Sequence, residues 1–107
     1  MKAAVCTTNG NEVNLHFGMT ETFYIYEMEK SKVSHLEYRF VEKYCSGYSS
    51  PEHKFQFEKV KRIYESLKDC DVLFTAKIGK APKVALLYKG ISVIECDSLI
   101  SKLHELV

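Results

Sequence analysis

No stretch of this 107-residue chain approaches the roughly 20 consecutive apolar residues needed to span a bilayer. A membrane-spanning helix is thereby excluded at the sequence level. The first residues, MKAAVCTT, carry one lysine but turn polar too soon for a secretory signal, so cytoplasm is the expected compartment. An excess of either charge is also missing. Fifteen basic and 14 acidic side chains leave a formal net charge of +1, which offers neither a basic stripe for nucleic acid nor a polybasic membrane patch. Cysteines 6, 45, 70 and 96 are widely spaced and form no CxxC pair, so a structural zinc site is not indicated. Without a secretory signal, free thiols are expected rather than disulfides. Enzyme signatures are absent: GxSxG, GxGxxG, HExxH and the phosphate-binding GxxxxGK(S/T) do not occur. The first strand-like run has no carboxylate to anchor a two-metal nuclease centre. There is no repeat, linker or low-complexity segment.

What is present suits a single globular domain over residues 1–107. Hydrophobic residues make up 46% and charged residues 27%, and a chain of this size can bury a core without a metal or disulfide staple. Residues 2–8 read as a buried strand ended by the turn formers of TTNGNE. Residues 22–29 alternate, with Phe23 and Ile25 on one side and Tyr24, Tyr26 and Met28 on the other. Residues 33–42 alternate again and set Leu36, Tyr38 and Phe40 against His35, Glu37 and Arg39, as in a hairpin with one wet face. CSGYSSPEH, residues 45–53, reads as a loop. A helix of about 14 residues follows, with Phe57, Val60, Ile63, Tyr64 and Leu67 at helical spacing. VLFTA, residues 72–76, has the continuous apolar character of a strand buried on both faces. Pro82 suits the first turn of a helix running to about Tyr88, and Gly90 ends it. Residues 91–95 read as another buried strand, and Asp97 as the cap of a last helix with Leu99, Ile100, Leu103 and Leu106 on its apolar side. Cys6 and Cys96 lie in apolar runs and read as core residues. His35 and His104 read as exposed. The order predicts an α/β fold with a mixed five-stranded sheet, helices on its faces, and parallel pairing of the last two strands.

Chemistry in such a sheet collects in the loops at strand ends. Three loops qualify. In NLHFG, His16 lies between Leu15 and Phe17. An extended segment would turn it away from both, and Gly18 would let the backbone bend sharply or approach a ligand. An imidazole offered as a metal ligand and an ordinary surface or hydrogen-bonded histidine are both consistent with this spacing. Cys45 sits in a polar loop with His53 eight residues on. It reads either as a thiol able to reach a soft metal or as an exposed thiol without a role. KIGKAPKV sets Lys77, Lys80 and Lys83 around Gly79 before a helix start. That arrangement is either an anion site or a solvated loop.

Taken together, AVCTTNGNEVNLHFGMTETFYIYE, KYCSG and LKDCDVLFTAKIGKAPKVALLYKGISVIE resemble the dinitrogenase iron–molybdenum cofactor biosynthesis family. This is the NifX-like domain, which also forms the C-terminal part of NifB. The likeness covers almost the whole chain. It implies a ribonuclease H-like fold and a cytoplasmic, non-enzymatic protein that binds and transfers an iron–sulfur cluster, the iron–molybdenum cofactor or its precursor. Nitrogenase-assembly proteins would be its partners, with no nucleic acid or membrane. Carried over, cofactor-binding roles fall on His16, Gly18, Cys45, Gly79 and Lys80, with His16 and Cys45 as metal ligands. A prefabricated cluster brings most of its own sulfide ligands, so one imidazole, one thiolate and some positive charge suffice. The radical-SAM half of NifB, with its CxxxCxxC motif, is absent from this chain. The implied role is therefore a carrier, a storage module or an isolated domain. The rival readings are an interaction or regulatory domain of the same fold with no cluster bound, and an enzyme of the ribonuclease H type.

Overall fold

The structure, a computed structural model, describes residues 1–44 and 57–107. Five strands form one sheet: β1 (Lys2–Cys6), β2 (Thr22–Met28), β3 (Val33–Phe40), β4 (Val72–Thr75) and β5 (Ser92–Glu95). Their spatial order is β3-β2-β1-β4-β5. β1 pairs antiparallel with β2, and β2 with β3, whereas β1–β4 and β4–β5 are parallel. Helices α1 (Phe57–Leu67) and α2 (Lys80–Tyr88) cover one face, and a 3-10 helix, Ile100–Leu106, covers the other. The expected mixed five-stranded α/β sheet is therefore present.

β1, β2 and β4 are the inner strands, and the small or apolar residues of β1 and β4 leave neither face wet. On the helical face Ala4, Cys6, Phe23, Ile25 and Leu73 pack beneath Ile63 and Leu67 of α1 and Leu86 of α2. On the opposite face Ala3, Val5, Tyr26, Met28, Val72 and Phe74 pack with Ile100 and Leu103. The side assignment read for β2 thus holds. Its alternation places Phe23 and Ile25 in one core and Tyr26 and Met28 in the other.

Local chemistry fixes the boundaries of α2. Gly79 is the residue before its first turn, and Pro82 falls third in the helix, where a missing N–H leaves no bond unmade. At the other end Gly90 takes φ +92°, a left-handed value that favours glycine. Its N–H donates to Leu87 O at 3.0 Å and that of Ile91 to Leu86 O at 3.0 Å. This paired closure satisfies the last carbonyls of the helix. Gly10, in the Asn9-Gly10 turn, is also left-handed, at φ +72°.

Several expectations from the sequence are corrected. β5 is an edge strand, half exposed rather than buried, and Cys96 after it is only partly buried. The final helix starts at Ile100, with Leu99 before it and no side-chain cap, so Asp97 caps nothing. It is a 3-10 helix in which Ile100 and Leu103 are buried, whereas Leu99 before it and Leu106 in its last turn are exposed. β3 has no dry face: Leu36, Tyr38 and Phe40 are exposed along with Glu37. A bulge opposite Ile25 and Tyr26 pairs Ile25 with Glu37 and Tyr26 with His35, leaving Leu36 as the extra residue. His35 is exposed, as read, but the bulge carries it to the side of Tyr38, with ring centroids 4.5 Å apart. His104 is half-buried rather than exposed, and its Nδ1 has no hydrogen-bond partner among the described residues.

Arg39 ties this hairpin to the helical layer. Its guanidinium donates through two nitrogens to the Asp69 carboxylate and through Nη1 to Ser66 O at 2.8 Å. Lys2 Nζ reaches the same carboxylate at 3.0 Å. The Arg39 hydrogen bonds hold the Asp69 carboxyl well below the usual carboxylate range. A depressed folded pKa means that the stabilisation is complete above the unfolded value, about 3.9, and is lost as pH falls through the folded one. The pair is partly exposed, so Asp69→Asn is expected to cost about 1 kcal/mol at neutral pH. The gap to wild type should close on acidification below about pH 4. Urea unfolding at a series of pH values measures both.

Candidate functional site

Because β1 and β4 are parallel neighbours, their C-terminal ends open on the same side of the sheet. Two chain segments meet there: residues 13–18, following β1, and residues 76–80, following β4. Backbone bonds clamp them together. The Phe17 N–H donates to Lys77 O at 2.9 Å, and the Ala76 N–H donates to Leu15 O at 3.1 Å. The Thr75 hydroxyl lies 3.2 Å from Leu15 O and 3.0 Å from Lys77 O, so it bridges the two segments. The Thr20 hydroxyl donates to His16 O at 2.9 Å. Both threonines are fully buried. They add hydroxyl bonds to loop carbonyls beside the backbone clamp, which helps hold the two segments against the sheet end.

Phe17 is the anchor of the first segment. Its side chain is buried, with ring centroids 6.1 Å from Phe23 and 6.0 Å from Tyr44. His16 precedes it in an extended conformation, φ −73° and ψ 141°. Adjacent side chains on extended backbone point opposite ways, so burying Phe17 turns His16 outward. The imidazole is exposed, and among the described residues no hydrogen bond, ion pair or ring contact engages it. It is therefore held by its backbone and open at its ring.

The structure places the remaining candidates as follows. Gly18 is half-buried inside a single 3-10 turn, Phe17–Met19, and its φ is not positive. The chain does turn tightly there, without the left-handed φ that would require glycine. Gly79 and Lys80 are exposed at the start of α2, joined to the His16 segment through the Lys77 and Ala76 bonds. Lys77 is also exposed, and neither Lys77 nor Lys80 has an ion-pair partner among the described residues. Lys83 differs, because its Nζ pairs with Glu95 at 3.1 Å. Cys45 and His53 lie outside the described residues. Tyr44, immediately before Cys45, packs on Phe17.

Cys6, Cys70 and Cys96 are free thiols. Burial pushes the Cys6 and Cys70 thiols up to about 11, so both are protonated at neutral pH and poor metal ligands. Among the described residues no three His, Cys, Asp or Glu side chains converge as a metal cage would require. From Lys80 an apolar trough of about 730 Å³ runs along α2 over Ala81, Val84 and Ala85 to Tyr88. Thr20 and Thr75 were not singled out from the sequence. The available signal was a hydroxyl at the end of an apolar run, as in VLFT, where a side chain can bond the backbone that follows.

The chain was compared with known proteins. The family model described as Dinitrogenase iron-molybdenum cofactor matches residues 1–107. The FeMo cofactor biosynthesis protein NifB of Frankia alni is 36% identical over 99 residues, covering 92% of this chain and 19% of that protein. Its namesake in Bradyrhizobium diazoefficiens is 33% identical over 93 residues, 86% of this chain and 17% of the relative. The chain thus spans about a fifth of the length of these relatives. A solved structure from Methanocaldococcus jannaschii, provisionally described as a dinitrogenase, superposes with a TM-score of 0.59 at 13% identity, over 98% of this chain and 88% of that one. At that identity the likeness speaks for the fold.

The clamp at the strand ends generates a prediction. Thr75→Val keeps the shape but removes the bridging hydroxyl, and is expected to destabilise the fold by about 1–3 kcal/mol. Thr75→Ser should recover most of that loss. Denaturant unfolding of the two variants beside wild type measures it.

Proposed function

The chain belongs to the dinitrogenase iron–molybdenum cofactor family, and on that premise we propose that it binds an iron–sulfur or iron–molybdenum cofactor, or a precursor, and passes it on. It does so in the cytoplasm, without catalysing a step, between donor and acceptor proteins of nitrogenase cofactor assembly. The order β3-β2-β1-β4-β5 is read here as ribonuclease H-like.

One observation carries this reading. His16 has a fixed backbone and an exposed ring with no partner among the described residues. Neutral imidazole is a competent ligand for iron, and a cluster that arrives with its own sulfides needs few protein donors. Lys77 and Lys80, with the N-terminus of α2, answer the negative charge of such cargo. Cys45 supplies a second, softer ligand. The packing of Tyr44 on Phe17 supports that role, since Cys45 is the next residue in the chain. Few ligands mean modest affinity, which a carrier needs in order to release what it holds.

The test is anaerobic incubation of the purified protein with isolated cofactor or precursor, followed by gel filtration and iron analysis. Wild type is expected to co-migrate with the cluster, and His16→Ala to bind it at least about tenfold more weakly, a loss of roughly 1.4 kcal/mol. Cys45→Ala should weaken retention less than His16→Ala does. Equal retention by wild type and both variants would move the site elsewhere. Failure of wild type to retain any cluster would favour an interaction domain of the same fold.

A further inference from the structure

Among the described residues β3 is the last strand on its side of the sheet and bonds only to β2. It is eight residues long, and its outer edge has no hydrogen-bond partner among the described residues. Such an edge is a template for another strand, and proteins usually blunt it with proline, charge or a covering element. β3 contains no proline and carries three large exposed side chains: Leu36, Tyr38 and Phe40 are 48%, 52% and 77% exposed. Two charges are interleaved with them, Glu37 and Arg39.

We propose that β3 pairs antiparallel with β3 of a second copy of this chain, about a two-fold axis passing through Tyr38. The order of residues selects this register. A two-fold axis normal to a continuous sheet maps each face onto itself, so it must pass through a residue rather than between two. An axis at Glu37 would set two carboxylates face to face, and an axis at Arg39 two guanidiniums, both unfavourable. An axis at Leu36 falls on the bulge. With the axis at Tyr38, Tyr38 meets its own copy, Glu37 lies opposite Arg39 twice, and Phe40 comes beside the bulge residue Leu36 twice. Apolar meets apolar on one face; on the other, Glu37 and Arg39 are already paired within each strand at 3.2 Å, with Arg39 also held by Asp69, so their cross-copy placement avoids like-charge contact rather than creating a new free pair. Tyr38 already packs edge-to-face on Tyr24, with ring centroids 4.7 Å apart, so the new aromatic pair extends an existing aromatic contact. A single strand pair buries less than a standard interface, so the dimer is weak and concentration-dependent.

Sedimentation velocity from micromolar to millimolar concentration should show wild type shifting from monomer to dimer. Leu36→Lys should remain a monomer throughout, with an unchanged circular-dichroism spectrum because the position is exposed. Register is read by cross-linking with a short bis-maleimide, using wild type as background. Tyr38→Cys copies should link to one another. Leu36→Cys and Phe40→Cys should link when mixed and not when each is alone. Ser34→Cys copies, held well apart in this register, should not link. A wild type that stays monomeric at every concentration, a Leu36→Lys dimer as strong as wild type, or Ser34→Cys linking as readily as Tyr38→Cys would each overturn the proposal.

Discussion

β1 and β4 have no side of the sheet on which a polar side chain could meet water. Of the nine residues in the two strands, all but Lys2 at the very start are buried and small, apolar or hydroxyl-bearing. Layers must therefore cover both faces, and any chemistry must sit where these strands stop. Because the two run parallel, they stop side by side. The His16 and Lys77 segments are neighbours for that reason, although they lie some sixty residues apart in the chain. The clamp made by Leu15, Phe17, Ala76 and Lys77 follows from the same fact, and the buried hydroxyls of Thr20 and Thr75 help hold it.

Where local pattern and tertiary context agreed, the fold was legible in the sequence. Continuous apolar runs marked β1 and β4, and alternation marked β2. Pro82 and Gly90 bracketed α2, because each acts through its own backbone and needs no knowledge of what packs nearby. The misreadings share one cause. ISVIE is as apolar as VLFTA, but position in the sheet decides burial, and among the described residues β5 has a neighbour on one side only. A bulge changes which side a residue faces without leaving a mark in the alternation, so His35 was assigned to the wrong partners. A 3-10 helix and an α-helix both tolerate leucine and isoleucine at three-residue spacing, so the last element was read with the wider apolar stripe and with a cap at Asp97.

The candidate site was legible in part. His16 was identified from its neighbours, and the structure explains its exposure through the burial of Phe17. Gly18 does lie in a tight turn, but one whose backbone does not reserve the position for glycine. The two hydroxyls that hold the segment were missed, because a threonine that bonds the backbone of a distant strand end has no local pattern to betray it. Cys45 and His53 fall outside the described residues, and their roles rest on the chain's order alone.

The 3-10 helix over Ile100–Leu106 shelters one whole side of the sheet with only two buried side chains, Ile100 and Leu103. Its entry is fastened by backbone bonds from Ile100 N–H to Asn11 O and from Val13 N–H to Ser98 O, but beyond Leu103 nothing apolar of comparable depth secures it. The opposite side is roofed by two full α-helices. The molecule is thus unevenly insulated: lifting the C-terminal strap is a small, local excursion that leaves the rest folded. Deuterium should therefore reach the amides of the strap itself, and of Val13 that fastens its entry, well before the ladder amides of β1, which β2 and β4 hold from both sides.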